Sequence, residues 1–293
     1  MRAAQVVCAV GAGLGLGAAT PAQATFPGGN GRLAVAWSDG PCARQIVTLR
    51  PDGSRPRPLT PCNRAGGPDV DSPDWAGDGR RLVFERDGML VMTQPDGTGE
   101  VELQVEGRSP SFSPDGRRIA FLAPDRTIRV ATRSGRVVRL LRKGLDPRWS
   151  PDGREIAYRT LRGIFVMDAR SGRRLRLIGP RSASSFDWSP DGRRLLYTAY
   201  APDFNVELWV LPTDGSGGAR RLTRTAQEEV AGVWSPDGRR IAVVRRNRVS
   251  ESVIYEIALI TRTGRRVGTV ARSSLRDSEL TRPPRLSWRP VPR

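Results

Sequence analysis

Any chemistry this chain performs must be done without histidine, because its 293 residues contain none. Ser-His-Asp and Cys-His catalysis of the usual kind are excluded, as are zinc, iron and copper sites built on histidine. What remains is carboxylate chemistry. The densest group of acids is Asp69, Asp71 and Asp74 in the stretch GGPDVDSPDW. It can be read as a calcium loop, but it lacks the ligand spacing of a calcium-binding hand. The plainer reading is a set of solvated loop acids at the entry of a strand. A glycan-cleaving site would need a paired acid and nucleophile on one face. Asp115, Asp152, Asp191 and Asp237 recur within one motif, and such repetition argues for architecture rather than for a single active site. No metal and no cofactor are expected.

The elements that must position these residues are hairpins. FSPDGRRIAF begins at Phe112, WSPDGREIAY at Trp149, WSPDGRRLLY at Trp188 and WSPDGRRIAV at Trp234, while WAGDGRRLVF at Trp75 is a diverged copy without the proline. Their central glycines, Gly79, Gly116, Gly153, Gly192 and Gly238, are 37, 37, 39 and 46 residues apart, which is the period of a repeat architecture. Proline presets φ for a turn, aspartate bonds its own backbone, and glycine accepts the left-handed φ that lets a hairpin resume. Each turn joins an aromatic-bearing strand to one rich in Ile, Leu, Val, Ala and Phe. Two more strands follow in each unit, as in GIFVMDARSGRRLRLI (163–178). Four short antiparallel strands per unit make a propeller blade. Trp75, Phe112, Trp149, Trp188, Trp234 and Trp288 share one repeated position, best explained as packing between neighbouring blades.

The chain ends set the blade number. GGNGRLAVAW (28–37) resembles the second half of the hairpin motif, with its aromatic strand missing; PRLSWRP (284–290) supplies an aromatic strand with nothing after it. The expected fold is all-β: a six-bladed propeller of four-stranded antiparallel blades, closed by the C-terminal strand completing the first blade so that no sheet edge separates the chain ends. The S-P-D-G-R-R-I-A-F repeats and the later RRLT-like segments resemble the WD40-like propeller repeats of the TolB family, periplasmic proteins of the bacterial Tol-Pal system. The resemblance covers residues 27–293 and implies a TolB-like propeller without the N-terminal α/β domain of TolB.

Residues 1–24 read as a cleaved secretory signal peptide: Arg2 at the start, an uncharged stretch from Val6 to Ala19, and Ala22-Gln23-Ala24 as the cleavage site. The propeller then spans 25–293, at roughly 45 residues per blade with none left for a second domain. Export leaves two cysteines, Cys42 and Cys62, both in the first blade. A disulfide between them would contribute ~3 kcal/mol on a chain-entropy estimate; the alternative is two unrelated thiols. The expected location is periplasmic, envelope-associated or extracellular.

Up-and-down strands divide the surface into two faces. The short turns share one; the other carries the irregular loops 38–44, 62–73, 199–206, 224–232 and 272–284, where recognition usually resides. The formal net charge is +18, and arginines follow both kinds of short turn. Arg118, Arg154, Arg194 and Arg240 after one, with Arg174, Arg221 and Arg266 after the other, would form an arginine-rich ring on the turn face. That ring could hold anionic wall polymer or lipid headgroups, or its members could simply pair with the turn aspartates and shield strand ends. The sequence is thus read as a non-catalytic, exported, monomeric scaffold for an envelope or extracellular protein. The rivals are a carboxylate-dependent envelope glycan-processing enzyme and a basic module on anionic polymer or lipid. Nucleic acid is not an expected partner, since no recognised binding module is present.

Overall fold

Each SPDG segment folds as its composition requires. In the copy that follows Phe112, Gly116 donates its N–H to Ser113 O at 2.8 Å with φ at +61°. The Ser113 hydroxyl donates to Asp115 Oδ1 at 2.6 Å and accepts the Arg118 N–H at 3.0 Å. Asp115 Oδ1 also takes the Arg117 N–H at 3.0 Å. The same bonds recur around Asp152, Asp191 and Asp237. These aspartates are turn formers.

The computed structural model describes residues 28–37, 44–62, 69–173, 175–249, 252–276 and 285–291. They form six antiparallel four-stranded sheets. Blade 1 combines β1 (Gly29–Trp37), β2 (Gln45–Leu49) and β3 (Arg57–Pro58) with the last strand, β24 (Leu286–Val291), which pairs with β1 through Leu33↔Trp288 and Val35↔Leu286. Blade 2 is β4 (Val70–Trp75), β5 (Leu82–Arg86), β6 (Met89–Thr93) and β7 (Val101–Glu106). Blade 3 is β8 (Arg108–Phe112), β9 (Arg118–Leu122), β10 (Thr127–Thr132) and β11 (Val137–Lys143). Blade 4 is β12 (Leu145–Trp149), β13 (Glu155–Thr160), β14 (Gly163–Asp168) and β15 (Arg176–Gly179). Blade 5 is β16 (Phe186–Trp188), β17 (Arg194–Tyr200), β18 (Val206–Pro212) and β19 (Arg220–Arg221). Blade 6 is β20 (Glu228–Trp234), β21 (Arg240–Val249), β22 (Ser252–Thr261) and β23 (Arg266–Arg276). Among the described residues no helix is long and apolar enough to cross a membrane.

The core lies between blades. Each repeated aromatic packs into a cluster with the middle strands of the preceding blade: Phe112 with Val83 and Leu90, Trp234 with Leu196 and Leu208, and Trp288 with Ala242 and Ile257 across the closure. Burying such a ring contributes roughly 2–3 kcal/mol. The second turn of a blade reinforces the junction. A Cβ on Gly264, where φ is +94°, would lie 2.1 Å from Leu222 O of blade 5, and one on Gly53 would lie 2.0 Å from Val270 O of blade 6. Only glycine permits approaches this close.

Candidate functional site

The first strand of each blade lines the central channel. In a strand every second side chain faces one way, so the residue before each repeated aromatic points inward: Ser287, Asp74, Ser111, Arg148, Asp187 and Val233 in blades 1 to 6. Four of the six bind the next blade. Ser287 Oγ accepts the Trp75 N–H at 3.1 Å, Asp74 Oδ2 that of Phe112 at 2.8 Å, Ser111 Oγ that of Trp149 at 3.3 Å, and Asp187 Oδ2 that of Trp234 at 2.8 Å. These bonds satisfy backbone donors that would otherwise face a narrow interior. Arg148 and Val233 cannot accept. Arg148 instead donates to Pro110 O at 3.2 Å.

The space enclosed by these residues is about 50 Å³, enough for a few waters. Burial pushes the Asp74 carboxyl up to about 6, against the opposing pull of Arg148 and of the Phe112 N–H. Burial likewise pushes Asp187 up to about 7, and the charge of Asp74 adds to the shift.

At the loop-face end the channel is crossed by an ion pair. Arg285 enters blade 1 and Asp146 lies in blade 4, opposite in a ring of six, and their Nη2 and Oδ1 atoms are 3.4 Å apart. Asp146 also meets Arg159 at 2.9 Å and the Ser109 hydroxyl at 3.2 Å. Burial pulls its carboxyl up, but Arg285, Arg159 and Arg148 override that and hold it below the ordinary value. Asp146 has φ at +51°, as Ser72 and Ser109 do at +53° and +49° in the matching bulges of blades 2 and 3. The bulges re-aim the strand entry at the mouth of the channel.

Beside that mouth, blades 5 and 6 frame a hollow of about 200 Å³ whose walls include Ser184, Ser185, Tyr200, Arg246 and Arg285. Tyr200, at the end of β17, is 64% exposed, and Phe204, in the loop that follows, is 88% exposed. A buried polar cluster fixes this loop. Asn205 Nδ2 donates to Thr225 O at 2.6 Å and to Gln227 O at 3.1 Å, tying the 201–205 loop to the one entering blade 6. Beneath them Glu207 accepts the Thr225 N–H at 2.9 Å, the Thr223 hydroxyl at 2.5 Å and Arg221 Nη2 at 3.0 Å. Glu229 lies beside it and meets Arg245 at 3.3 Å and the Thr225 hydroxyl at 3.0 Å. Both glutamates are fully buried. Burial and the neighbouring Glu207 push the Glu229 carboxyl well above the usual range, so Glu229 carries the pair's proton and Glu207 stays ionised. Neither glutamate is singled out by the sequence motifs; the available signal was a charge inside the apolar runs VELWV and EEVAGV.

The sequence-derived candidates scatter. Asp69 lies exposed and donates its backbone N–H to Asp87 Oδ1, Asp71 pairs with Arg44 at 2.9 Å, and Asp74 belongs to the channel. Among the described residues no three potential ligands gather as a metal site. Arg154, Arg194 and Arg240 are exposed at the turn face and Arg118 is half-buried there. Arg154 approaches Asp152 at 3.8 Å and Arg266 pairs with Glu256 at 2.8 Å. Arg221 turns away to Asp203 and Glu207 on the loop side. Arg174 and Cys42 lie outside the described residues, as do residues 1–24; Cys62 is exposed after β3.

No protein-family profile matches the sequence, and no curated protein is similar enough to be matched. Solved structures do match. TolB from Acinetobacter baumannii superposes with a TM-score of 0.69 at 20% identity, over 89% of this chain and 67% of that one. The structure described as putative TolB from Agrobacterium tumefaciens gives 0.68 at 19% identity, over 89% and 99%. Hydrazine synthase of Kuenenia stuttgartiensis is more distant, at 0.51 and 17% identity, over 74% and 70%. At these identities the likeness is one of fold, and the fold of this chain is that of a TolB-like six-bladed β-propeller.

Proposed function

We propose that the protein is an exported, non-catalytic scaffold that holds an envelope or extracellular protein on its loop face, beside the channel mouth. The observation that carries this reading is the exposed pair Tyr200 and Phe204 at a loop held rigid by the buried Glu207–Glu229 cluster. Aromatic side chains presented on a fixed platform are the usual anchors of a protein interface, and a preorganised loop loses little entropy on binding. The fold shared with TolB structures is compatible with such a role.

A carboxylate-dependent glycan-processing activity finds less support. The acids that share a cavity, Asp74 and Asp187, enclose about 50 Å³, too little for a sugar ring to reach them. The acids that touch each other, Glu207 and Glu229, are fully buried.

The test is capture of tagged mature protein from its own cells, washed at high salt, beside a Tyr200→Ala/Phe204→Ala variant. One protein retained by the parent and lost by the variant is expected. Equal retention by both, or anionic polymer alone that washes off at high salt, would reject the loop-face reading. Export predicts a mature N-terminus at Thr25, checked by terminal sequencing. The proposed Cys42–Cys62 bridge predicts one disulfide-linked peptide pair in unreduced digests.

A further inference from the structure

The turn face holds a cleft of about 410 Å³ between blades 5 and 6, on the opposite side of the ring from the irregular loops. Three arginines line it: Arg194 at the start of β17, Arg220 at the start of β19 and Arg262 in the β22–β23 turn. Some arginines near this rim have partners. Arg154 approaches Asp152, Arg176 pairs with Glu155 at 2.6 Å, and Arg266 pairs with Glu256. Arg194, Arg220 and Arg262 are exposed, and none makes a side-chain hydrogen bond or ion pair among the described residues. Asp191 and Asp214 do not line this cleft but the adjoining cavity of about 730 Å³, which Arg194 and Arg262 also border.

The remaining walls are Val210, Pro212 and the edge of Trp234, with the Thr263 hydroxyl at the rim. The second turn of blade 5, which borders the cleft, packs unlike its counterparts. In blades 1 to 4 and 6 the glycine of the second turn packs against the preceding blade, through Gly53, Gly97, Gly135, Gly172 and Gly264. In blade 5 the corresponding Gly215 meets nothing within 4 Å, and neither does Gly218, which borders the cleft. The 213–219 turn thus stands clear where its counterparts interlock.

Three cations without a side-chain hydrogen bond or ion pair, set against an apolar wall, form a host for an anion attached to an apolar body. We propose that this cleft binds a phosphate ester: the phosphate lies between Arg194, Arg220 and Arg262, and the body of the ligand lies against Val210, Pro212 and Trp234. The chemistry is shared by a phospholipid headgroup and a soluble organic phosphate. It is independent of the loop-face partner.

The experiment is calorimetric titration of the folded mature protein with inorganic phosphate, with dihexanoyl phosphatidylglycerol below its micellar concentration, and with phenyl phosphate. Each is repeated on Arg194→Gln/Arg220→Gln/Arg262→Gln, on Arg262→Lys, and on Arg117→Gln/Arg133→Gln/Arg173→Gln, which removes the same charge elsewhere. Binding weakened at least tenfold in the cleft variant and nearly unchanged in the displaced-charge variant is the expected result. Arg262→Lys gives a partial loss because the charge stays and the fork goes. If the triple cleft variant fails to fold, Arg262→Lys against the displaced-charge variant decides. The lipid phosphate binding more tightly than phenyl phosphate identifies a headgroup; the reverse identifies a soluble ester. No measurable binding of any ester to the parent protein, or equal weakening in both charge-removal variants, overturns the proposal.

Discussion

Asp187 and Asp74 connect the protonation of the channel to the stability of the ring. An acid whose folded value lies above its unfolded value of about 3.9 takes up a proton on folding. Its contribution is therefore greatest below the unfolded value and is lost as pH rises through the folded one, here through about 6 for Asp74 and about 7 for Asp187. Asp187→Asn keeps an acceptor for the Trp234 N–H and removes the charge, so denaturant unfolding should show a flatter decline between pH 4 and pH 7, with stability at pH 8 equal to or above the parent. Asp187→Ala leaves that N–H unmet and should cost about 1–3 kcal/mol at both ends of the range. An unchanged slope in Asp187→Asn would mean that Asp187 is ionised throughout. The glutamate pair behaves in the same sense. Glu229 has its value raised, so its stabilising protonated form is lost on the alkaline side. Glu229→Gln should remove an alkaline loss of stability while costing under about 1 kcal/mol at neutral pH. Glu207→Gln should cost more, because Arg221 and the Thr225 N–H lose a carboxylate.

At the scale of the element, the second-turn glycines separate two costs. Gly264→Ala places a methyl 2.1 Å from Leu222 O at a φ of +94°, whereas Gly215→Ala meets nothing within 4 Å at a φ of +80°. The left-handed φ alone costs about 1–2 kcal/mol, so Gly215→Ala should lose about that much and Gly264→Ala distinctly more, read as the shift of the unfolding midpoint. Equal losses would show that the blade 5/6 junction yields freely. The hairpins were legible in sequence because turn chemistry is local: Ser113, Asp115 and Gly116 determine one another's bonds within four residues. The Glu207–Glu229 cluster was not. Its members come from β18, β19, β20 and β21, and nothing local distinguishes a buried glutamate in VELWV from an exposed one.

At the scale of the whole molecule, closure through β24 was also legible, since a lone aromatic strand at one end and its missing place at the other are complementary. Trp288→Ala empties a cavity between blades 6 and 1 and should cost about 3–5 kcal/mol, seen as a lowered unfolding midpoint; a loss under about 1 kcal/mol would show that the ring does not depend on the velcro strand. The arginines recur with the repeat, but their side chains do not act as a unit. The direction of each side chain depends on the acids that neighbouring strands supply, and Arg221 and Arg266 are drawn to Glu207 and Glu256. The central claim, that the loop face beside the channel carries a protein partner, is tested most directly by photo-cross-linking in the cell of origin. A photoreactive phenylalanine replaces Phe204 in one strain and Val137, exposed at the start of β11, in another. A single protein adduct from position 204 that is absent from position 137 is the result the account expects; adducts of the same protein from both positions, or from position 137 alone, would contradict it.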